Sequence, residues 1–183
     1  DYKGFDCIKR MIEPYDKLFD KIAGFYAEKL NRVVHDGGTI YTMHDFDHHC
    51  CDLYKIISNV ILNGEYAYEE NCLNSRELYI LNLAVLLHDI GMIGYVDVGR
   101  DNHSVQSFKK INHDYTITDS PLSETSSGLC KNEIDALALI VKAHSDEKGE
   151  NVNVESNGLN DSRLTNEMPG KVQIIKGRLL ANI

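Results

Sequence analysis

A chain of 183 residues with 43% hydrophobic content can bury one substantial core and is short for two. Its 28 acidic side chains against 19 basic ones, a formal charge of −9, exclude a broad nucleic-acid footprint, which needs clustered Lys and Arg. A small anionic ligand stays admissible, because a bound metal reverses the local sign.

The first predicted helix spans roughly Phe5 to His35, where Ile8, Ile12, Tyr15, Phe19, Ile22, Phe25, Tyr26, Leu30 and Val33 form a stripe near the 3.6-residue period. Pro14 should kink it or start a new helix, and Asp36-Gly37-Gly38 ends it. The second should begin near Asp45 to Asp47 and run to about Leu62, stopped by Asn63-Gly64. The third opens at Asn74, which has capping-box spacing to Glu77, and closes at Gly91. A short helix follows from Ser104 to Ile111, another from about Lys131 to Glu147, and a last from Lys171.

Two stretches read as irregular: His113 to Gly128, rich in Thr, Ser and Asp, and Gly149 to Gly170, with five asparagines, three glycines and no aromatic residue. The second of these should be a mobile loop. Few segments alternate as strands do, so the expected fold class is all-α. The most apolar stretch is broken by Asn82, His88 and Asp89 and falls short of the ~20 apolar residues a bilayer needs. No N-terminal signal pattern is visible, and the five cysteines, Cys7, Cys50, Cys51, Cys72 and Cys130, show no CxxC spacing. A soluble cytoplasmic protein with reduced thiols is expected.

The chemistry concentrates in histidines. His88-Asp89-Ile90-Gly91 closes the apolar run Leu78–Leu87. A histidine and a carboxylate at the end of a buried helix are costly unless compensated, and a metal ion takes neutral imidazole and ionised carboxylate directly as ligands. On the second helix Leu53, Ile56, Ile57 and Val60 define the apolar face; His49 falls inside it, whereas His48 shares the polar side with Asp52, Lys55 and Asn59. His49 is thus the better inward ligand, with His44 at the site edge. His144 follows the buried side marked by Leu137, Ile140 and Val141, with Asp135 opposite. His103 stands at a helix start ahead of an apolar stripe of Val105, Phe108 and Ile111, while His35 and His113 read as surface residues. Any one inward histidine is more often a hydrogen-bonded core residue than a ligand. Three or four of them beside Asp89 are hard to satisfy without a metal.

Three segments carry a resemblance: Tyr41-Thr42-Met43-His44-Asp45-Phe46-Asp47-His48-His49, Leu86-Leu87-His88-Asp89-Ile90-Gly91-Met92 and Arg100-Asp101-Asn102-His103-Ser104-Val105-Gln106-Ser107. Together they resemble the HD superfamily of metal-dependent phosphohydrolases, and most closely the HD domains found in front of Hsp90-like (GHKL) ATPase domains. The resemblance spans roughly Thr39 to Ile183. It implies a single HD-like helical domain over residues 1–183, with 1–38 as a helical lead-in and 39–183 as the HD core.

The resemblance further implies one or two divalent metals between helices, with His49 (less readily His48) and the His88-Asp89 pair as ligands. His103 and His144 match the additional ligands of two-metal members. One departure stands out: the family's distant aspartate should follow an apolar stretch, but Lys176-Gly177-Arg178-Leu179-Leu180-Ala181-Asn182-Ile183 ends before any aspartate. The HD core therefore reads as truncated at its C-terminal end.

The ligand types suit Mn, Fe, Ni, Co, Zn or Mg without choosing among them. The metal would bring the pKa of bound water from ~15.7 toward ~7, and the resulting hydroxide would attack phosphorus. Arg100 or Lys142 could neutralise phosphoryl charge, and His103 or His144, where not a ligand, could protonate the leaving oxygen. The expected function is hydrolysis of a nucleotide, cyclic nucleotide or other small phosphoester. The alternative is a non-catalytic HD module that binds metal or nucleotide and regulates a C-terminal ATPase domain or a partner. A plain helical scaffold with hydrogen-bonded histidines is the third reading.

Overall fold

The computed structural model describes residues 12–36, 53–54, 75–93 and 103–144, and every regular element among them is helical. Five α-helices are labelled here in chain order: α1 (Asp16–Asp36), α2 (Ser75–Leu87), α3 (His103–Thr116), α4 (Glu124–Ser127) and α5 (Lys131–Lys142). A 3-10 turn, Ile90–Met92, follows α2. The expected all-α class is what these residues show. The expected helix of residues 171 onward and the expected mobile loop of 149–170 lie outside the described residues, as does all of the second predicted helix except Leu53 and Tyr54.

Proline decides where α1 begins. Pro14 cannot donate a main-chain hydrogen bond to an earlier turn, and the helix starts two residues later at Asp16. Its inward stripe is Phe19, Ile22, Ala23, Tyr26, Ala27 and Leu30, all buried. Each of the large side chains contributes about 1.5–3 kcal/mol by leaving water. Phe25 departs from the expected stripe: it is 41% exposed, and the Lys29 ammonium lies 3.6 Å above its ring.

Helix α2 has no polar face, because every residue from Glu77 to Leu87 is buried. That is how an almost unbroken apolar run is accommodated: neighbours surround the helix on all sides. Arg76 fastens its start. The guanidinium gives one hydrogen bond to each carboxylate oxygen of Glu133 on α5 (2.7 and 2.6 Å) and one to the Gly128 carbonyl (2.6 Å), while lying over the Tyr15 ring. Glu133 also accepts the Cys130 N–H at 2.9 Å, which satisfies a donor at the start of α5 that has no partner within the helix.

Helix α3 is longer than its apolar pattern predicts, running on through Asn112, His113 and Asp114 to Thr116. The cause is tertiary. Asp114 is buried and accepts the Tyr26 hydroxyl of α1 at 2.6 Å, with Lys110 one turn back at 3.4 Å. His113 is therefore an exposed residue of the last helical turn instead of a loop residue. Burial and the neighbouring Asp114 carboxylate together push the Tyr26 hydroxyl well above its usual pKa, so it remains a donor. Tyr26→Phe should cost about 2 kcal/mol, the value of a hydrogen bond to a charged group, read as a lower urea midpoint at unchanged slope. An unchanged midpoint would mean that water serves Asp114 equally well.

The remaining expected loop contains the short helix α4, closed by Gly128 in the left-handed region at φ 67°. Residues of α1, α2, α3 and α5, with Leu122 and Leu129 on either side of α4, join one hydrophobic cluster that includes Tyr79, Leu83, Leu86 and Leu87. No helix among the described residues is long and apolar enough to cross a membrane.

Candidate metal centre

Helix α2 stops at Leu87, so His88 and Asp89 stand on the turn after it rather than within a helix. Likewise α5 stops at Lys142 and His144 follows in the next turn, short of the helix expected to continue to Glu147. The two histidines are anchored alike. His88 Nδ1 lies 2.6 Å from the Val85 carbonyl, and His144 Nδ1 meets the Val141 carbonyl. A carbonyl can only accept, so each Nδ1 carries the proton and each Nε2 is left with a lone pair, the arrangement that orients metal-binding imidazoles.

Asp89 occupies the middle. Its Oδ2 lies 3.0 Å from His88 Nε2, and its Oδ1 lies 3.3 Å from His103 Nε2 and 3.6 Å from His144 Nε2. The two last nitrogens are 2.8 Å apart. The donor atoms of Asp89, His103 and His144 all fall within 4.8 Å of one another. His88 and Asp89 are buried, whereas His103 and His144 are half-buried at the solvent side of the group.

This donor set fits a cation. With Nδ1–H committed to Val85, His88 can donate to Asp89 only by taking a second proton. Burial opposes that charge, but the Asp89 carboxylate beside it and the Val85 carbonyl outweigh burial and raise the His88 pKa above its ordinary value. A divalent ion removes the conflict by accepting the lone pairs and balancing the carboxylate, as imidazole and carboxylate ligands do for many transition metals.

Close docking of two backbones brings the residues together. Gly91 packs directly on the first turn of α3: an added Cβ would lie 2.3 Å from the His103 carbonyl oxygen and 2.4 Å from the Ser107 nitrogen. The face of α3 turned inward is accordingly small and polar. Ser104, Ser107, Ile111 and Asp114 are buried, while Val105 and Phe108, expected as the apolar stripe, are half-buried. The signal for this was present in two serines three residues apart, which fit a close approach that Val or Phe would block.

Of the residues singled out from sequence, Asp89, His88, His103 and His144 meet in one place. His44, His48, His49 and Arg100 lie outside the described residues. Lys142 is half-buried and, a heptad after Asp135, falls on the outer stripe of α5. His35 belongs to α1, and His113 is exposed.

Comparison with known proteins agrees with this geometry. No curated protein and no solved structure matches the chain significantly. The model of the HD-CE family matches residues 39–183, a span that contains the His/Asp cluster and most of the sequence. The chain belongs to the HD-CE family, a family of HD domains.

Proposed function

We propose that the chain is a divalent-metal-dependent phosphohydrolase acting on a nucleotide, a cyclic nucleotide or another small phosphoester. The observation that carries this reading is the division of Asp89, one carboxylate oxygen toward His88 and the other toward His103 and His144. That arrangement suits one ion, or two ions sharing the carboxylate. His88, Asp89, His103 and His144 would hold the metal, joined by His49, His48 or His44. When bound, a divalent ion supplies Lewis acidity toward water and neutralises phosphoryl charge.

The chain's own contribution is orientation and proton handling. The Val85 and Val141 carbonyls hold two imidazoles in one tautomer. Asp89 sets the distance between the histidines. His103 and His144, on the solvent side, would deliver a proton to a leaving oxygen from Nε2 when not acting as ligands, His144 only as the imidazolium because its Nδ1–H is committed to Val141.

The arrangement of the whole chain is part of the same proposal. Ile12, Phe19, Ile22 and Tyr26 of the lead-in share the core cluster with α2 and α5, which supports one HD-like unit over residues 1–183. An ATPase domain of the GHKL type is the partner we propose, on the resemblance of the segments at Tyr41–His49 and Arg100–Ser107, with the cytoplasm as its setting.

The test is metal content and turnover on a nucleotide panel, with wild type beside Asp89→Ala. Bound transition metal and metal-restored turnover in the wild type, both lost in Asp89→Ala, are expected. Equal turnover by the two proteins would exclude the mechanism, and metal-dependent nucleotide binding with no turnover would favour a regulatory module.

A further inference from the structure

We infer that Ser107 is a positioning residue of this centre: its hydroxyl ties the turn presenting Asp89 to the helix presenting His103. The inference rests on the reading of the cluster as a metal centre and extends it to a residue that touches neither metal nor substrate.

Ser107 is completely buried and stands four residues after His103, on the same face of α3. Its Oγ accepts the Gly91 N–H at 2.8 Å and donates to the His88 carbonyl at 2.7 Å. These two backbone groups bracket Asp89 and Ile90, so one hydroxyl grips both ends of the turn. Neither group can turn to water, because His88 and Gly91 are buried. Contact between Gly91 and the α3 backbone prevents closer approach, and the two hydrogen bonds prevent separation. The 3.3 Å between Asp89 Oδ1 and His103 Nε2 is set by this interlock from below the carboxylate.

A serine that merely filled space would look different. Ser104 provides that comparison within the same helix: it is equally buried, and its hydroxyl has no hydrogen-bond partner among the described residues.

The experiment titrates Co(II) into the metal-free 183-residue chain and into Ser107→Ala and Ser104→Ala. Visible absorption reports coordination and far-UV circular dichroism reports the helices. Ser107→Ala should keep its helices, bind Co(II) roughly tenfold more weakly, the scale of losses from outer partners of metal ligands, and show altered ligand-field bands. Ser104→Ala should match wild type.

Wild-type affinity and spectrum in Ser107→Ala would overturn the inference while leaving the metal centre intact. So would an equal loss in Ser104→Ala, or an alanine variant that does not fold, since either would make Ser107 a packing residue. Absence of Co(II) binding by the wild type would instead remove the metal centre itself, and the inference with it.

Discussion

Gly91→Ala should destabilise the protein by about 3 kcal/mol and weaken metal binding about a hundredfold. The new methyl would meet the His103 carbonyl oxygen at 2.3 Å and the Ser107 nitrogen at 2.4 Å. Both are main-chain atoms of a hydrogen-bonded helix, so neither can swing aside as a flexible side chain would. The turn must instead move outward, carrying Asp89 away from His103 and His144.

Stiffening the unfolded chain by replacing glycine opposes this loss by only about 0.4–1 kcal/mol. Urea unfolding with a parallel metal titration measures both effects. A variant as stable as wild type, with full metal affinity, would show that α3 and the turn separate freely.

Arg76→Ala should cost about 3 kcal/mol, at the low end for breaking a buried ion pair because the arginine keeps some contact with water. Glu133 would stay buried with its side chain 3% exposed, keeping the Cys130 N–H as a partner. Replacing both residues, as Arg76→Met with Glu133→Leu, should cost much less, since no charge is then left without its partner.

Acid gives an independent reading of the same pair. Burial would raise the Glu133 pKa, but the Arg76 guanidinium and the Cys130 N–H outweigh burial and hold it below the ordinary value. The unfolded chain therefore binds the proton more readily. The pair's contribution is complete above about pH 5 and is lost as the pH falls through the ordinary glutamate range near pH 4 and below. Wild type should lose stability over that interval more steeply than the double variant. Parallel curves would assign the acid sensitivity to other carboxylates.

How much could be read in advance depended on whether the deciding partner was near in sequence. His144 could be ranked by the helical wheel because Leu137, Ile140 and Val141 mark the buried side within two turns. Pro14 announced the start of α1 through its own missing donor. The extension of α3 was hidden, because Asn112-His113-Asp114 reads as loop until Tyr26, 88 residues away from Asp114, supplies the hydrogen bond. The role of Gly91 was hidden for a related reason, although Ser104 and Ser107 fit a close approach: a glycine in a motif names a position, whereas only the facing helix shows which backbone it touches. Phe25 illustrates the opposite error, since it fits an apolar period closely enough to be included yet lies just outside the buried arc.

The anchoring of His88 on Val85 and of His144 on Val141 has an electrostatic consequence. Both histidines sit where a helix ends, so the partial negative charges at the termini of α2 and α5 converge on the ground already occupied by Asp89. A phosphate approaching the bare protein meets repulsion there, while a divalent cation meets attraction. Once the cation is seated, that negative field is cancelled. Under the proposed function, cation and phosphoester affinities would be thermodynamically coupled, each raising the other by the same factor, and phosphate would be bound selectively only in the metal-loaded state.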